Sequence, residues 1–134
     1  MSSIFTKIVK GEIPSYKVAE TEKFYAFLDI RPNTKGHTLC ITKEEVDKVW
    51  DLKEETYMEL MRFSRKVALA IEKTISCNRV GLAVVGLEVP HVHVHLIPLN
   101  EMKDIDFKQI TELSETEFKE TAESIGKTFE EMNA

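Results

Sequence analysis

The sequence has little of what defines membrane, secreted or disulfide-rich proteins. Its 134 residues include five glycines, four prolines and two cysteines, too few for a flexible linker or a disulfide scaffold. No apolar run approaches the ~20 residues that span a bilayer, and the N-terminal segment lacks the apolar core of a secretory signal. The cysteines form no CxxC pair. We therefore expect a cytoplasmic protein that neither enters a membrane nor forms disulfides.

An excess of positive charge is missing as well. Eighteen basic residues stand against 23 acidic ones, which gives a formal net charge of −5. This balance excludes a diffuse positive potential for duplex DNA, so any bound phosphate must be held by a local site. With 43% apolar and 31% charged residues, a chain of this length is expected to fold around one hydrophobic core.

Hydrophobic periodicity predicts an α+β fold, with helices on one side of a largely antiparallel sheet. We expect the nearly all-apolar strand at 79–85 to be central in that sheet. A capping box at 114–117 opens a C-terminal helix. The predicted strands cover residues 16–20, 24–30, 37–42, 79–85 and 91–99, and the other predicted helices cover residues 4–9 and 57–75.

The four histidines are the most informative feature. They are His37, His91, His93 and His95, and the last three alternate with apolar residues along the last predicted strand. Because strand side chains alternate between faces, the three imidazoles should share one face and the apolar residues the other. A row of polar rings is not a packing pattern, since each buried ring needs a hydrogen-bond partner. The row therefore predicts a functional site.

Two chemistries use clustered histidines. In the first, His91 and His93 would hold one metal ion, with His37 approaching from the next strand. The outer two histidines of the row are ~13 Å apart, however, too far for all three to reach one ion. In the second, the central imidazole attacks phosphorus while its neighbours donate hydrogen bonds to the phosphoryl oxygens. The spacing favours phosphorus, and the metal site remains an alternative.

Several motifs together resemble the histidine-triad (HIT) nucleotide-binding superfamily, and most closely its Hint-like branch. Residues His91–Ile97 match its signature H-φ-H-φ-H-φ-φ, where φ is apolar. Residues 5–14 resemble the opening segment of the family. Residues 26–32, followed by 36–39, resemble its nucleoside-binding strand and loop. The resemblance covers about residues 4–99 and implies a HIT-like fold with about five strands.

The resemblance also implies a role for each matching residue. His93 would attack the α-phosphorus of a nucleotide and become transiently nucleotidylated. His37 and His95 would bracket the phosphate, and His91 would help to orient the site. Asp29 would accept hydrogen bonds from the ribose hydroxyls. The slot for the purine would be formed by Ile30, Phe5, Ile8 and Phe27.

The implied activity is that of a hydrolase or transferase that releases a nucleoside monophosphate from purine nucleoside phosphoramidates, either AMP or GMP derivatives. A dinucleoside polyphosphate hydrolase and a catalytically weak nucleotide-binding module are the alternatives. The resemblance implies no cofactor. It implies a nucleotide-binding domain over residues 4–105 and a C-terminal helical extension over 106–134. It also implies a homodimer whose sheet continues across the interface, with helix 57–75 as the candidate dimer helix.

The sequence departs from the family at the positions that hold a structural zinc in many bacterial relatives. Those relatives carry Cys-x-x-Cys near the start and a further histidine after the third strand. This chain has Ser3, Thr6 and Glu45 at the corresponding positions. Only His91 of that ligand set remains, so we predict no structural zinc.

A second departure lies just before the triad. Relatives commonly place a Gly-rich loop there, with Gln and a hydroxyl residue close to the first histidine. This chain has the short connection 85–90, with Leu87 and Glu88 at those positions. A charged Glu88 would repel a phosphate, or it could act as a general acid towards an amine leaving group. A surface role for Glu88 is equally open at this point.

Overall fold

The computed structural model describes residues 2–134, in which three α-helices and five strands alternate with short connections. Two 3₁₀ turns, Val49–Asp51 and Met102–Ile105, lie in the connections. In chain order the elements are α1 (Ile4–Val9), β1 (Lys17–Glu20), β2 (Phe24–Leu28), β3 (Thr38–Thr42), α2 (Glu54–Thr74), β4 (Arg79–Ala83), β5 (His93–Leu99) and α3 (Glu115–Met132).

The five strands form one sheet in the order β1-β2-β3-β5-β4, and every neighbouring pair is antiparallel. The α+β class and the antiparallel sheet are confirmed. One face of the sheet packs against α2 and α3 to form the main apolar cluster, which includes Val94 and Leu96 of β5. The other face carries a second apolar cluster, whose members include Phe5 of α1. The prediction that all helices lie on one side is therefore wrong for α1.

The position of β4 also differs from the prediction. The nearly continuous apolar run at 79–85 predicts a central strand, but β4 lies at the edge of the sheet and pairs only with β5. Leu82, Val84 and Val85 are exposed. The prediction failed because an apolar run shows only that a strand can be covered on both faces. It does not show which strands flank it.

The opposite edge of the sheet is covered by α3. Gly126 lies close to β1, because a Cβ built there would lie 2.8 Å from the Val18 carbonyl oxygen. A glycine therefore lets the helix pack directly on the strand. The apolar stripe of α3 is buried in the main cluster, so the predicted extension at 106–134 shares its core with the rest of the chain. The stripe consists of Phe118, Ala122, Ile125 and Phe129.

Two strand ends matter for the site. The last strand begins at His93, two residues later than predicted, and the His91 carbonyl just before it accepts from the His93 side chain. The second strand ends at Leu28, so Ile30 lies beyond it and does not share a strand face. Both cysteines are free. None of the helices described in residues 2–134 combines the length and apolar character that a bilayer crossing requires.

Candidate active site

The imidazole row lies at the centre of the sheet, on the face opposite α2 and α3. Register pairs His95 with Leu39 and His93 with Ile41. The ring centroids of His93 and His95 are 4.9 Å apart in an edge-to-face arrangement. The ring centroids of Phe5 and His93 are also 4.9 Å apart. The predicted alternation is present, because the apolar residues between the histidines lie in the main cluster on the other face.

The hydrogen bonds of His93 define which of its ring nitrogens can react. Nδ1 lies 2.7 Å from the His91 carbonyl oxygen. A carbonyl oxygen only accepts, so Nδ1 carries the proton and donates it. In the neutral ring Nε2 then keeps an unshared electron pair. The geometry therefore presents Nε2 of His93 as a nucleophile.

His37 and His95 are joined by a hydrogen bond and form the His37–His95 pair. The Asn33 backbone N–H donates to His37 Nδ1 at 3.0 Å, which places the proton of a neutral His37 on Nε2. That Nε2–H donates to His95 Nδ1, also at 3.0 Å. The proton of His95 consequently sits on its own Nε2. His95 thus offers a donor beside the nucleophile, which is the arrangement needed to stabilise charge on a phosphoryl oxygen.

Both ring nitrogens of His91 are occupied. Nε2 donates to the Thr42 carbonyl at 2.7 Å, and Nδ1 accepts from the Ser3 hydroxyl at 2.6 Å. The ring is fully buried, so it is held at both ends by the protein itself. The alternative metal site on His91, His93 and His37 therefore finds no free nitrogen on His91.

The positions that correspond to zinc ligands in relatives do come together, as a hydrogen-bonded cluster. Glu45 accepts from the Ser3 backbone N–H at 2.7 Å and from the Thr6 hydroxyl at 2.6 Å. These bonds lower the pKa of Glu45. Ser3 is also the N-cap of α1 and accepts from the Thr6 N–H. The cluster thereby fixes the start of α1, and with it Phe5, against His91.

Burial keeps His37, His93 and His95 neutral. It lowers the pKa of His37 to about 3 and, with help from its neighbours His95 and His93, disfavours the imidazolium. The pKa of His95 falls to about 4 through burial and the nearby His93. Burial also lowers the pKa of His93. At neutral pH His37, His93 and His95 are therefore neutral rings with one proton each.

These depressed pKa values predict acid sensitivity. Unfolded imidazoles bind protons near their ordinary pKa of 6.5, whereas folded His95 and His37 do so only near 4 and 3. The free energy of unfolding should therefore fall as the pH drops from about 6.5 towards 4. Urea unfolding at several pH values would measure this, and a His95→Asn variant should show a shallower decline. A pH-independent stability between 6.5 and 4.5 would contradict the assignment.

Asp29, the residue predicted to bind the ribose hydroxyls, lies next to the His37–His95 pair. Its Oδ2 is 3.7 Å from His37 Nε2, and its Oδ1 accepts from the Arg31 N–H at 2.9 Å. Burial raises the pKa of Asp29, and the charge of Glu88 adds to this. Asp29, His37 and His95 each offer one ligand atom within 4.8 Å of the others. These three could hold a metal only if the His37–His95 hydrogen bond were broken.

The residues expected to form the purine slot are brought together only in part. The rings of Phe5 and Phe27 are in edge contact at 5.5 Å, and both are buried in the second apolar cluster. Ile8 is partly buried and packs against that cluster. Ile30 is 69% exposed and lies outside it. Ile30 is therefore the one apolar side chain of the four with most of its surface open to solvent.

Glu88 lies in the short connection before β5, with an exposed side chain. Its charge partly offsets the fall in the pKa of His93 and adds to the rise in the pKa of Asp29. Sequence reasoning left its role undecided between surface and chemistry. The structure puts it within electrostatic reach of His93 and Asp29.

Two contributors to the site were missed by sequence reasoning. Phe107 belongs to the connector between β5 and α3 (residues 100–114), and its ring centroid is 4.7 Å from that of His95. It is an isolated aromatic residue in a polar segment, so no periodicity marks it. Asn33 contributes a backbone N–H, which any residue except proline could supply. Only the turn signal Pro32-Asn33 was visible.

Comparison with known proteins gives the class. A family model described as the HIT domain matches residues 10–102. The adenosine 5′-monophosphoramidase HNT1 of Saccharomyces cerevisiae is 41% identical over 101 residues, which cover 75% of this chain and 64% of the yeast protein. The enzyme of the same name from Schizosaccharomyces pombe is 42% identical over 99 residues, covering 73% of this chain and 74% of its own.

The fold agrees with this match. The crystal structure of a Hit-like protein from Bartonella henselae is similar with a TM-score of 0.82 and 29% sequence identity, covering 95% of this chain and 96% of that one. A row of alternating histidines on an antiparallel α+β sheet defines the histidine-triad class. The chain belongs to the HIT family. It spans just under two thirds of the S. cerevisiae relative.

Proposed function

We propose that the protein is a HIT-type hydrolase that releases AMP from adenosine phosphoramidates through a nucleotidyl-His93 intermediate. The observation that carries the proposal is the unshared electron pair on His93 Nε2, fixed by the Nδ1–His91 carbonyl bond. The names of the two yeast relatives, both adenosine 5′-monophosphoramidases, support the substrate class. Since the neighbouring His95 donates through Nε2–H, attack and charge stabilisation lie side by side.

The reaction would run as two displacements at phosphorus. In the first, His93 Nε2 forms a bond to the α-phosphorus while the phosphorus–nitrogen bond of the substrate breaks. The departing amine leaves with a proton taken from solvent, and the carboxylate of Glu88 is suited to bind it as an ammonium ion. In the second, water attacks the phosphorus and releases one proton to solvent, and the bond to His93 breaks. AMP then leaves with the regenerated neutral imidazole behind it.

Substrate recognition is assigned to the groups around this centre. Asp29 would accept hydrogen bonds from the ribose hydroxyls, since it lies beside the His37–His95 pair. Ile30, with its exposed side chain, would cover the purine together with Phe5, Ile8 and Phe27. The four side chains assigned to the purine are all apolar and offer no hydrogen bond that would distinguish adenine from guanine, so GMP derivatives belong to the same proposal.

A turnover assay tests the proposal. Purified protein is incubated with adenosine 5′-phosphoramidate, and AMP is quantified by chromatography over a range of pH. Release of AMP that saturates with substrate is the expected result. Binding of AMP without any turnover would contradict the proposal and favour a nucleotide-binding module. Faster cleavage of a dinucleoside polyphosphate than of the phosphoramidate would contradict the substrate class.

We further propose a homodimer that forms at the β4 edge, within a cytoplasmic setting. β4 is an edge strand of the sheet, its Val80 N–H donates only to the Glu72 side chain, and its Leu82 is 48% exposed, which together favour pairing with a second strand. The opposite edge is closed by α3. The interface predicted at helix 57–75 would then adjoin the paired edge, because α2 packs on the sheet next to β4.

Replacing Leu82 by lysine should convert the dimer to a monomer, because it places a charge in the paired apolar edge. Light scattering coupled to size-exclusion chromatography would measure the mass. Met132→Lys on α3 is the matched control, since Met132 is similarly exposed at 42% but lies far from β4 in sequence and element. A wild-type mass equal to one chain would contradict the dimer.

A further inference from the structure

The connector packs an aromatic ring on the histidine pair from outside the region matched by the family model, which ends at residue 102. The ring centroid of Phe107 lies 4.7 Å from that of His95, at an interplanar angle of 63°. It lies 6.3 Å from the centroid of His37. Together with Phe5 at the other end, which contacts His93, Phe107 encloses the imidazole row between two apolar rings.

The connector is fixed to the loop that orients His37. The Asn33 side chain donates to the Asp104 carbonyl at 2.9 Å. The Asn33 carbonyl accepts from the Gln109 side chain at 2.9 Å and from the Thr111 hydroxyl at 2.7 Å. Asn33 is itself buried and donates its N–H to His37. Phe107 therefore lies between two anchored points, and its place over the pair is part of a specified structure.

We propose that Phe107 is a positioning residue, whose ring shields the His37–His95 hydrogen bond from water and so keeps the His95 Nε2–H directed at the phosphate. This inference rests on the proposed function, because the phosphate is the group that His95 would contact. The shielding matters because it keeps a solvent proton from binding to His95 Nδ1. If water reached the pair and His95 gained a proton on Nδ1, that atom could no longer accept from His37.

Few charged groups face the His37–His95 pair, so the exclusion of water is the main influence on its protonation. From β5 the neighbour is His93, whose proximity lowers the pKa of both members. From the end of β2 it is Asp29, at 3.7 Å from His37. Glu88, before β5, acts on Asp29 and His93. On the connector, the Asp104 carboxylate is engaged by the backbone N–H groups of residues 100 and 101.

The test is the titration of His95 in the nucleotide-free protein, followed by NMR with labelled histidine. In Phe107→Ala the pKa of His95 should rise from about 4 towards its ordinary value, because water gains access to the ring. In Phe107→Leu, which keeps the apolar bulk, the pKa of His95 should return close to that of the wild type.

The matched control is Ile110→Ala, which shortens an apolar side chain of similar exposure, 46% against 43% for Phe107, on the same connector. It should leave the His95 titration unchanged. An unchanged titration in Phe107→Ala, or an equal shift in Ile110→Ala, would overturn the role of Phe107. Absence of turnover in the wild type would overturn the proposed function instead, since the titration is measured without substrate.

Discussion

Replacing His93 by alanine is expected to lower kcat for adenosine phosphoramidate by about 10³-fold or more, because it removes the attacking atom. Binding of AMP should change far less, since the groups assigned to the ribose and the purine remain. Single-turnover kinetics would measure the chemical step, and calorimetry the affinity for AMP. A separation of the two effects is the signature of a nucleophile.

The matched variant is His93→Asn. Its side-chain amide can donate to the His91 carbonyl, which accepts from His93 Nδ1 in the wild type. It preserves the internal hydrogen bond but has no nucleophilic nitrogen. We expect it to be as inactive as the alanine variant and closer to the wild type in its free energy of unfolding. Activity within a few-fold of the wild type in either variant would show that another residue attacks.

Replacing Asp29 by asparagine is expected to lower kcat/KM for the ribonucleotide substrate by about 10- to 100-fold. The reason is the loss of charge from a carboxylate that would bind two hydroxyls, where each charge-assisted hydrogen bond contributes about 1.5–3 kcal/mol. The pKa of Asp29 is raised by burial, so the effect of the wild-type carboxylate should also weaken in acid. Steady-state kinetics on matched substrates would measure both.

A substrate that lacks both ribose hydroxyls provides the control for Asp29. With the 2′,3′-dideoxy analogue, Asp29→Asn and the wild type should have nearly equal kcat/KM, because the interaction is already absent. Glu88→Gln also removes a negative charge near His93 and should affect both substrates alike. An equal loss with both substrates in Asp29→Asn would assign Asp29 a general electrostatic role and contradict its contact with ribose.

The sequence was most informative where local geometry alone determines position. The alternation of histidine and apolar residues from His91 to Leu96 requires two faces in any extended backbone, and the structure has both. The helix at the start was equally well defined, since its apolar pairs lie one turn apart and Gly11, with φ of +79°, follows its end. These features depend on neighbours along the chain.

Features that depend on distant parts of the chain could not be predicted. The apolar residues of β4 are compatible with a central or an edge strand, and only the sheet order shows which one they form. Phe107 reaches His95 because Asn33 anchors the connector, a contact between segments some seventy residues apart. Likewise, the hydroxyl of Ser3 at the tip of α1 was expected only to replace a metal ligand. Its bond to His91 required the folded chain.

The most direct measurement is the detection of nucleotide bound covalently to the protein. The enzyme is mixed with adenosine phosphoramidate, quenched within milliseconds in alkaline denaturant, digested and analysed by mass spectrometry. A nucleotidyl-His93 intermediate predicts one adenylyl group on the peptide that contains His93, localised to that residue and absent in His93→Asn. Rapid release of AMP with no adenylylated peptide at any time, or with the adenylyl group on another residue, would contradict it.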